Sequence, residues 1–379
     1  MLAAYWDETH HALKASLDGW TERHIVPFSD DWEEAQHFPD DLFQSAGTAG
    51  IMGIGYPEEL GGSGGDIFHT LVAIEALIRG GSPGTAVTLG IHSIAIPPII
   101  ALGTAEQKKR WVPEVLAGAK VACLGITEPG AGSDVAGIRT TAKRDGDGYV
   151  IEGAKTFITA GTRADYVTVL ARTSEDPHGG LTFFVLPSDT PGFRVGKSLN
   201  KMGWWASDTA ELFFDGCRID ASHRLGDEGT GFIGAMANFA TERLVLAANC
   251  VSIAQLALDQ ALSYAKERQA FGRSIGGFQV TRHTLAEMAT KTEAARSFVS
   301  TVAARHRAGD DVTMEVAMVK NFAVEACSFV TDAAVQIHGG MGYMRESLVE
   351  RLYRDARLYP IGGGTTEIMR ELIGRRLIG

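Results

Sequence analysis

The chain has 379 residues, of which 45% are hydrophobic and 21% charged, and its formal net charge is −11. That length predicts two or three structural units, with apolar content ample for a core and a composition that is soluble and globular. The acidic balance, with no long basic run, excludes nucleic acid as the main partner but leaves room for a polyanionic ligand held by a few local Arg and Lys residues.

Cys123, Cys217, Cys250 and Cys327 are scattered, with no CxxC and no Cys/His cluster, so no metal is expected. Buried free thiols in a reducing compartment fit them better, which predicts a cytoplasmic location. The start, Met-Leu-Ala-Ala-Tyr-Trp-Asp-Glu, lacks a basic n-region before an apolar core, so no secretory signal is expected. The longest apolar stretch, Ile91–Leu102, is short and contains Pro97-Pro98, and no membrane role is expected.

Residues 1–118 read as helical. Apolar residues recur at three- and four-residue spacing through Leu13, Leu17 and Trp20, then through Phe68, Leu71, Ile74, Leu77 and Ile78. The cluster Gly61-Gly62-Ser63-Gly64-Gly65 is a loop between helices, either a plain linker or a backbone laid against a ligand.

Residues 119–228 change character. The stretch 123–137, Cys-Leu-Gly-Ile-Thr-Glu-Pro-Gly-Ala-Gly-Ser-Asp-Val-Ala-Gly, holds glycines, a proline and two hydroxyls between apolar runs. Glycine lets backbone N–H groups approach a ligand closely, so this loop suits a phosphate-bearing cofactor. On composition, a Gly-rich turn with no ligand is an equal alternative. The stretch is neither a P-loop nor a Rossmann fingerprint. Asp145-Gly146-Asp147-Gly148 marks a hairpin between Arg139–Lys143 and Tyr149–Glu152, and strand-like runs follow at Thr156–Thr159, Tyr166–Ala171, Leu181–Leu186 and Leu212–Phe214. Sheets built from such hairpins are antiparallel.

Residues 229–379 return to helix. Three intervals, 235–271, 278–308 and 310–338, contain no Gly or Pro, and each has room for a long helix with a broad apolar face. A shorter helix starts where Thr365 can cap and Glu367 favours the positive helix end. The whole predicts an α+β chain: a helical domain over 1–118, an antiparallel β-domain over 119–228 and a four-helix bundle over 229–379.

Several motifs, in order, resemble the acyl-CoA dehydrogenase flavoproteins: Ile126–Asp134, Arg268-Gln269-Ala270-Phe271-Gly272, Gln336–Tyr343, Arg354-Asp355-Ala356-Arg357 and Gly364-Thr365-Thr366-Glu367-Ile368. The resemblance implies FAD. It implies that Thr127 and Ser133 contact the flavin and its pyrophosphate, that Phe157 packs beside the isoalloxazine and that Thr159 hydrogen-bonds near flavin N5. It assigns Arg268, Phe271, Gln279, Gln336 and Gly340 to a partner subunit's FAD, with Thr365 and Glu367 closing over the cofactor. A homotetramer, built as a dimer of dimers, is therefore expected.

The reaction implied is oxidation of an acyl-CoA to the trans-2-enoyl-CoA in fatty or branched acyl catabolism, with electrons passed to an electron-transferring flavoprotein. A carboxylate must abstract the α-proton, and burial raises its pKa and makes it a better base. Many members carry that acid two residues before the Thr of the closing motif, where this chain has Gly363. The branch resembling isovaleryl-CoA and long-chain dehydrogenases places it on the first bundle helix, where this chain has Glu242. Glu242 is thus the expected base. Arg243 is expected toward the CoA end of the substrate, and Ser133 and Gly363 are expected to contact the substrate. Trp204 and Trp205 are either a docking or flavin-shielding surface or core. The competing readings are a flavin oxidase or monooxygenase on the same scaffold and a silent flavin-binding subunit. Retention of Glu242 weighs against the silent subunit.

Overall fold

The structure, a computed structural model, describes residues 5–379, without the side chains of Met236 and Ala237; residues 1–4, part of the acidic start, lie outside it. The first helices are α1 (Glu8–His24), α2 (Ser29–Ala35), α3 (Asp41–Thr48), α4 (Ile67–Ile78), α5 (Pro83–Leu89), α6 (His92–Ala95), α7 (Pro97–Leu102) and α8 (Ala105–Leu116). The starts of α1 and α4 meet. Asp7 accepts from the N–H groups of Thr9 and His10, and Asp66 accepts from those of Phe68 and His69. Each histidine returns a ring nitrogen to its cap residue's N–H at 3.1 Å, and the two rings lie 3.9 Å apart. Orphan amides at both helix ends are satisfied this way. The glycine cluster is a packing device. A Cβ on Gly62 would sit 2.1 Å from the Tyr56 carbonyl oxygen, so the loop folds back onto its own start.

The sheet strands are β1 (Ala122–Gly125), β2 (Thr141–Asp145), β3 (Gly148–Thr159), β4 (Tyr166–Arg172), β5 (Leu181–Pro187), β6 (Phe193–Ser198), β7 (Thr209–Asp220) and β8 (Arg224–Leu225). Their order is β6-β7-β3-β2-β4-β5-β8, with β1 beside β4. Most pairings are antiparallel, as the hairpin signals predict, but β1 and β2 each run parallel to β4. Hairpin signals speak only for strands joined by a tight turn, and the partners here are joined by long excursions. Along β5 the side chains alternate between two cores. Leu181, Phe183 and Val185 pack with Ile99, Trp111 and Val112 of the helices, while Phe184 and Leu186 pack with Tyr149, Val167 and Val169.

After the short α9 (Gly231–Ala237), the intervals without Gly or Pro become α10 (Phe239–Glu267), α11 (Gln279–Arg307) and α12 (Thr313–His338). A small hairpin, β9 (Gln269–Ala270) and β10 (Arg273–Ser274), joins the first two. The fourth bundle position is shared by α13 (Leu348–Ala356) and α14 (Thr366–Ile378). Thr365 caps α14 by accepting the Ile368 N–H at 3.3 Å. Phe68, Leu71 and Val72 of α4 bury against Leu244, Ala247 and Val251 of α10, so the two helical regions share one core.

Candidate functional site

Glu242 lies in the first turn of α10, ringed by protein but with part of its surface open. Burial raises its pKa above the ordinary carboxylate value, and the Arg243 and Lys320 cations offset part of that rise. Arg243 is buried, its guanidinium stands 4.8 Å from the Phe239 ring, and its Nε has no hydrogen-bond partner among the described residues.

Opposite Glu242 runs the segment between α13 and α14. Gly363 and Gly364 have φ of +64° and +94°, a left-handed bend that favours glycine. A Cβ on Gly363 would lie 3.4 Å from Glu242 Oε1 and 2.2 Å from Leu246 Cδ1. The two positions that the sequence offers for a carboxylate therefore converge on one region, approached from opposite sides. Leu246, one helical turn after Glu242, fills the space a side chain at 363 would need. Gly363, Gly364 and Thr365 donate no backbone hydrogen bond among the described residues, which leaves amides here free for a ligand. Lys320 of α12 donates from Nζ to the carbonyls of both Gly362 and Gly364. Sequence reasoning passed over Lys320 and Leu246. The signal for Lys320 was present: a lone lysine among Val316, Ala317, Val319 and Ala323 on a buried face.

The loop after β1 forms a second group. The Thr127 carbonyl accepts the Thr156 N–H at 2.9 Å, which fixes the loop to β3. Glu128 is buried, pairs with the Lys155 ammonium at 2.8 Å and accepts the N–H groups of Arg139 and Thr140. Beyond it, a Cβ on Gly130 or Gly132 would meet nothing within 4 Å, and Ser133 is exposed beside them. The register of β3 against β7 slips between Lys155 and Ile158, and Phe157 sits in that slip with a φ of +60° and 67% exposure. A bulky residue in left-handed backbone is an outlier of the kind that clusters at ligand sites. Thr159 follows at the end of β3, paired with Thr209. An open glycine shelf with hydroxyls, next to an exposed aromatic ring, fits a flavin with its pyrophosphate.

The third group is remote. Arg268 caps the far end of α10, and Phe271 projects from the β9–β10 turn with 96% of its surface exposed. Gln279 opens α11, and Gln336 and Gly340 are exposed at the end of α12. The Tyr264 and His338 rings stack at 4.2 Å and hold these ends together. From Glu242 to Arg268 is 26 helical residues, about 39 Å at 1.5 Å each. Within one chain that distance separates this set from Glu242. Thr365 and Glu367 lie at the near end, following Gly363.

The two tryptophans part company. Trp204 is buried and donates its backbone N–H to Asp355 at 2.6 Å, whereas Trp205 carries the guanidinia of Arg354 and Arg345 at 3.8 and 4.6 Å.

Models of the acyl-CoA dehydrogenase N-terminal, middle and C-terminal domains match residues 7–119, 123–217 and 229–378. The structure of a probable acyl-CoA dehydrogenase from Mycobacterium abscessus superposes with a TM-score of 0.96 at 47% identity, covering 98% of this chain and 99% of that one. The long-chain specific mitochondrial enzyme of Rattus norvegicus is 37% identical over 373 residues, 97% of this chain and 86% of its own length. The short-chain specific mitochondrial enzyme of Bos taurus is 38% identical over 373 residues, 98% of this chain and 90% of its own length. Similarity thus does not separate long from short acyl chains.

Proposed function

This chain belongs to the acyl-CoA dehydrogenase family of FAD-dependent oxidoreductases, and we propose that it converts an acyl-CoA to the trans-2-enoyl-CoA with Glu242 as the base. The observation that carries this is the approach of Gly363 to the Glu242 carboxylate, 3.4 Å from where a side chain at 363 would begin. A base lost at 363 and one present at 242 would act on the same carbon.

FAD, when bound, supplies the acceptor for the hydride that leaves the β-carbon. The chain's own residues do the rest. Thr127, Ser133, Phe157 and Thr159 hold and flank the cofactor. Glu242 takes the α-proton, and its raised pKa suits it to removing a weakly acidic C–H near neutral pH. The unpartnered amides around Gly363 donate to the thioester carbonyl as charge develops there. Arg243 braces the carboxylate from the side that would face CoA. Thr365 and Glu367 close the near end. The distant set of Arg268, Phe271, Gln279, Gln336 and Gly340 serves a neighbouring subunit's FAD in a dimer of dimers. The electron acceptor in this reading is an electron-transferring flavoprotein. Leu246 occupies the space that Gly363 leaves, so this glycine by itself makes no room for a branched acyl group.

Anaerobic mixing with straight and branched acyl-CoAs tests this. The parent should lose its oxidised flavin absorbance with one substrate class. Glu242→Gln should keep flavin and ligand binding yet reduce at least about 100-fold more slowly. Full reduction by Glu242→Gln would reject the base.

A further inference from the structure

Lys320 is 1% exposed in the middle of α12, and its Nζ donates to the Gly362 carbonyl at 2.6 Å and to the Gly364 carbonyl. These two carbonyls flank Gly363. The next residue of α12, Asn321, reaches the Thr366 carbonyl at 3.2 Å, so one helix turn grips the segment on both sides of its left-handed bend. The neighbouring charged and titratable groups are Glu242, Arg243 and Cys250 on α10, Cys327 on α12 itself and Tyr359 beside the glycine run. We propose that Lys320 is a positioning residue for the reaction: it aims the Gly363 amides at the substrate carbonyl and holds the Glu242 carboxylate ready, through one ammonium that touches neither substrate nor cofactor.

A glycine run has little intrinsic preference for one backbone conformation, and three consecutive glycines opposite the base have to be fixed from outside. Charge-assisted hydrogen bonds to two carbonyls separated by one residue define that backbone from a single point. The ammonium also lies close enough to Glu242 to oppose the rise that burial causes in its pKa. Burial in turn pushes Lys320 down to about 8, with Arg243 acting in the same direction and Cys250 and Glu242 opposing it.

This role rests on the dehydrogenase reading, and its test separates the two. Flavin-loaded Lys320→Met and Lys320→Arg are compared with the parent for saturated flavin reduction across about pH 5 to 10. Amide hydrogen exchange over residues 358–366 is measured without substrate. Methionine keeps the volume but removes charge and donors. Its saturated rate should fall about tenfold or more, with half-saturation moved less than about threefold. The acidic limb, set by ionised Glu242, should move upward by about half a unit or more, because a cation that favoured the carboxylate has gone. Exchange over the segment should quicken. Lys320→Arg should leave the limb in place and lose about threefold or more in rate, since a planar fork does not reproduce the two-carbonyl geometry.

A purely structural lysine would lower stability without moving the limb, and an unmoved limb in Lys320→Met overturns the proposal. If Lys320→Met does not retain flavin, Lys320→Arg decides: parent-like rate and exchange overturn it. If Glu242→Gln is inactive while both lysine variants match the parent, only the role of Lys320 falls. If Glu242→Gln is active, the base assignment falls instead.

Discussion

Moving the proposed base from position 242 to position 363 probes the site most directly. In a Glu242→Gly background, Gly363→Glu returns a carboxylate from the opposite side. The new Cβ would start 2.2 Å from Leu246 Cδ1 and at a φ of +64°. Left-handed backbone costs a non-glycine residue about 1–2 kcal/mol, and displacing the leucine costs about 1–3 kcal/mol. If that strain of about 2–5 kcal/mol depletes the productive conformer, flavin reduction should run roughly 30- to several-thousand-fold below the parent. Adding Leu246→Ala removes the overlap and leaves mainly the backbone cost, so the triple variant should be about tenfold or more faster than the double. The assay is stopped-flow flavin reduction at saturating acyl-CoA, with denaturation curves for each variant. A triple variant no faster than the double would show that Leu246 does not occupy the route. Double and triple variants both at the Glu242→Gly level would refute the convergence of the two positions.

Burial beside Glu33 pushes the Asp355 carboxyl up to about 7. The folded state then binds a proton that the unfolded state has released between about pH 4 and 7, so this group's contribution to stability falls as pH rises through that window. Asp355→Asn should flatten the fall, measured as denaturation midpoint against pH; an unchanged slope would contradict it. Lys155→Met strands the Glu128 carboxylate, which keeps only the two backbone donors, and should cost about 3 kcal/mol in chemical denaturation with weakened flavin retention. Equal stability would show that the ion pair does not hold the loop. Phe271→Asp should dissociate the proposed dimer of dimers in sedimentation while leaving the circular dichroism of the subunit intact, and an unchanged sedimentation coefficient would count against a shared site.

The long helices were legible because their intervals lack Gly and Pro, and Thr365 announced the start of α14. β6 was not, since Phe193–Ser198 lies largely exposed at the sheet edge and its apolar alternation stops after Phe193 and Val195. Parallel pairing of β1 with β4 leaves no local trace, because register between distant strands is set by the core. Glu242 could be reached by comparing motifs, but its meeting with Gly363 is a matter of tertiary geometry. Lys320 was overlooked because a helix lysine usually points to solvent, and burial is what makes this one informative.

The core shared by α4 and α10 imposes an order of assembly. Phe68, Leu71 and Val72 await Leu244, Ala247 and Val251, which follow some 175 positions later in the chain. A ribosome adding about 5–20 residues per second separates their synthesis by roughly 10–35 s. The strands from Ala122 to Leu225 are contiguous and pair largely with one another, so the sheet can form as it emerges. The face of α4 that waits for α10 has no such recourse. Its sticky surface makes the half-made chain a natural client for chaperones until α10 arrives.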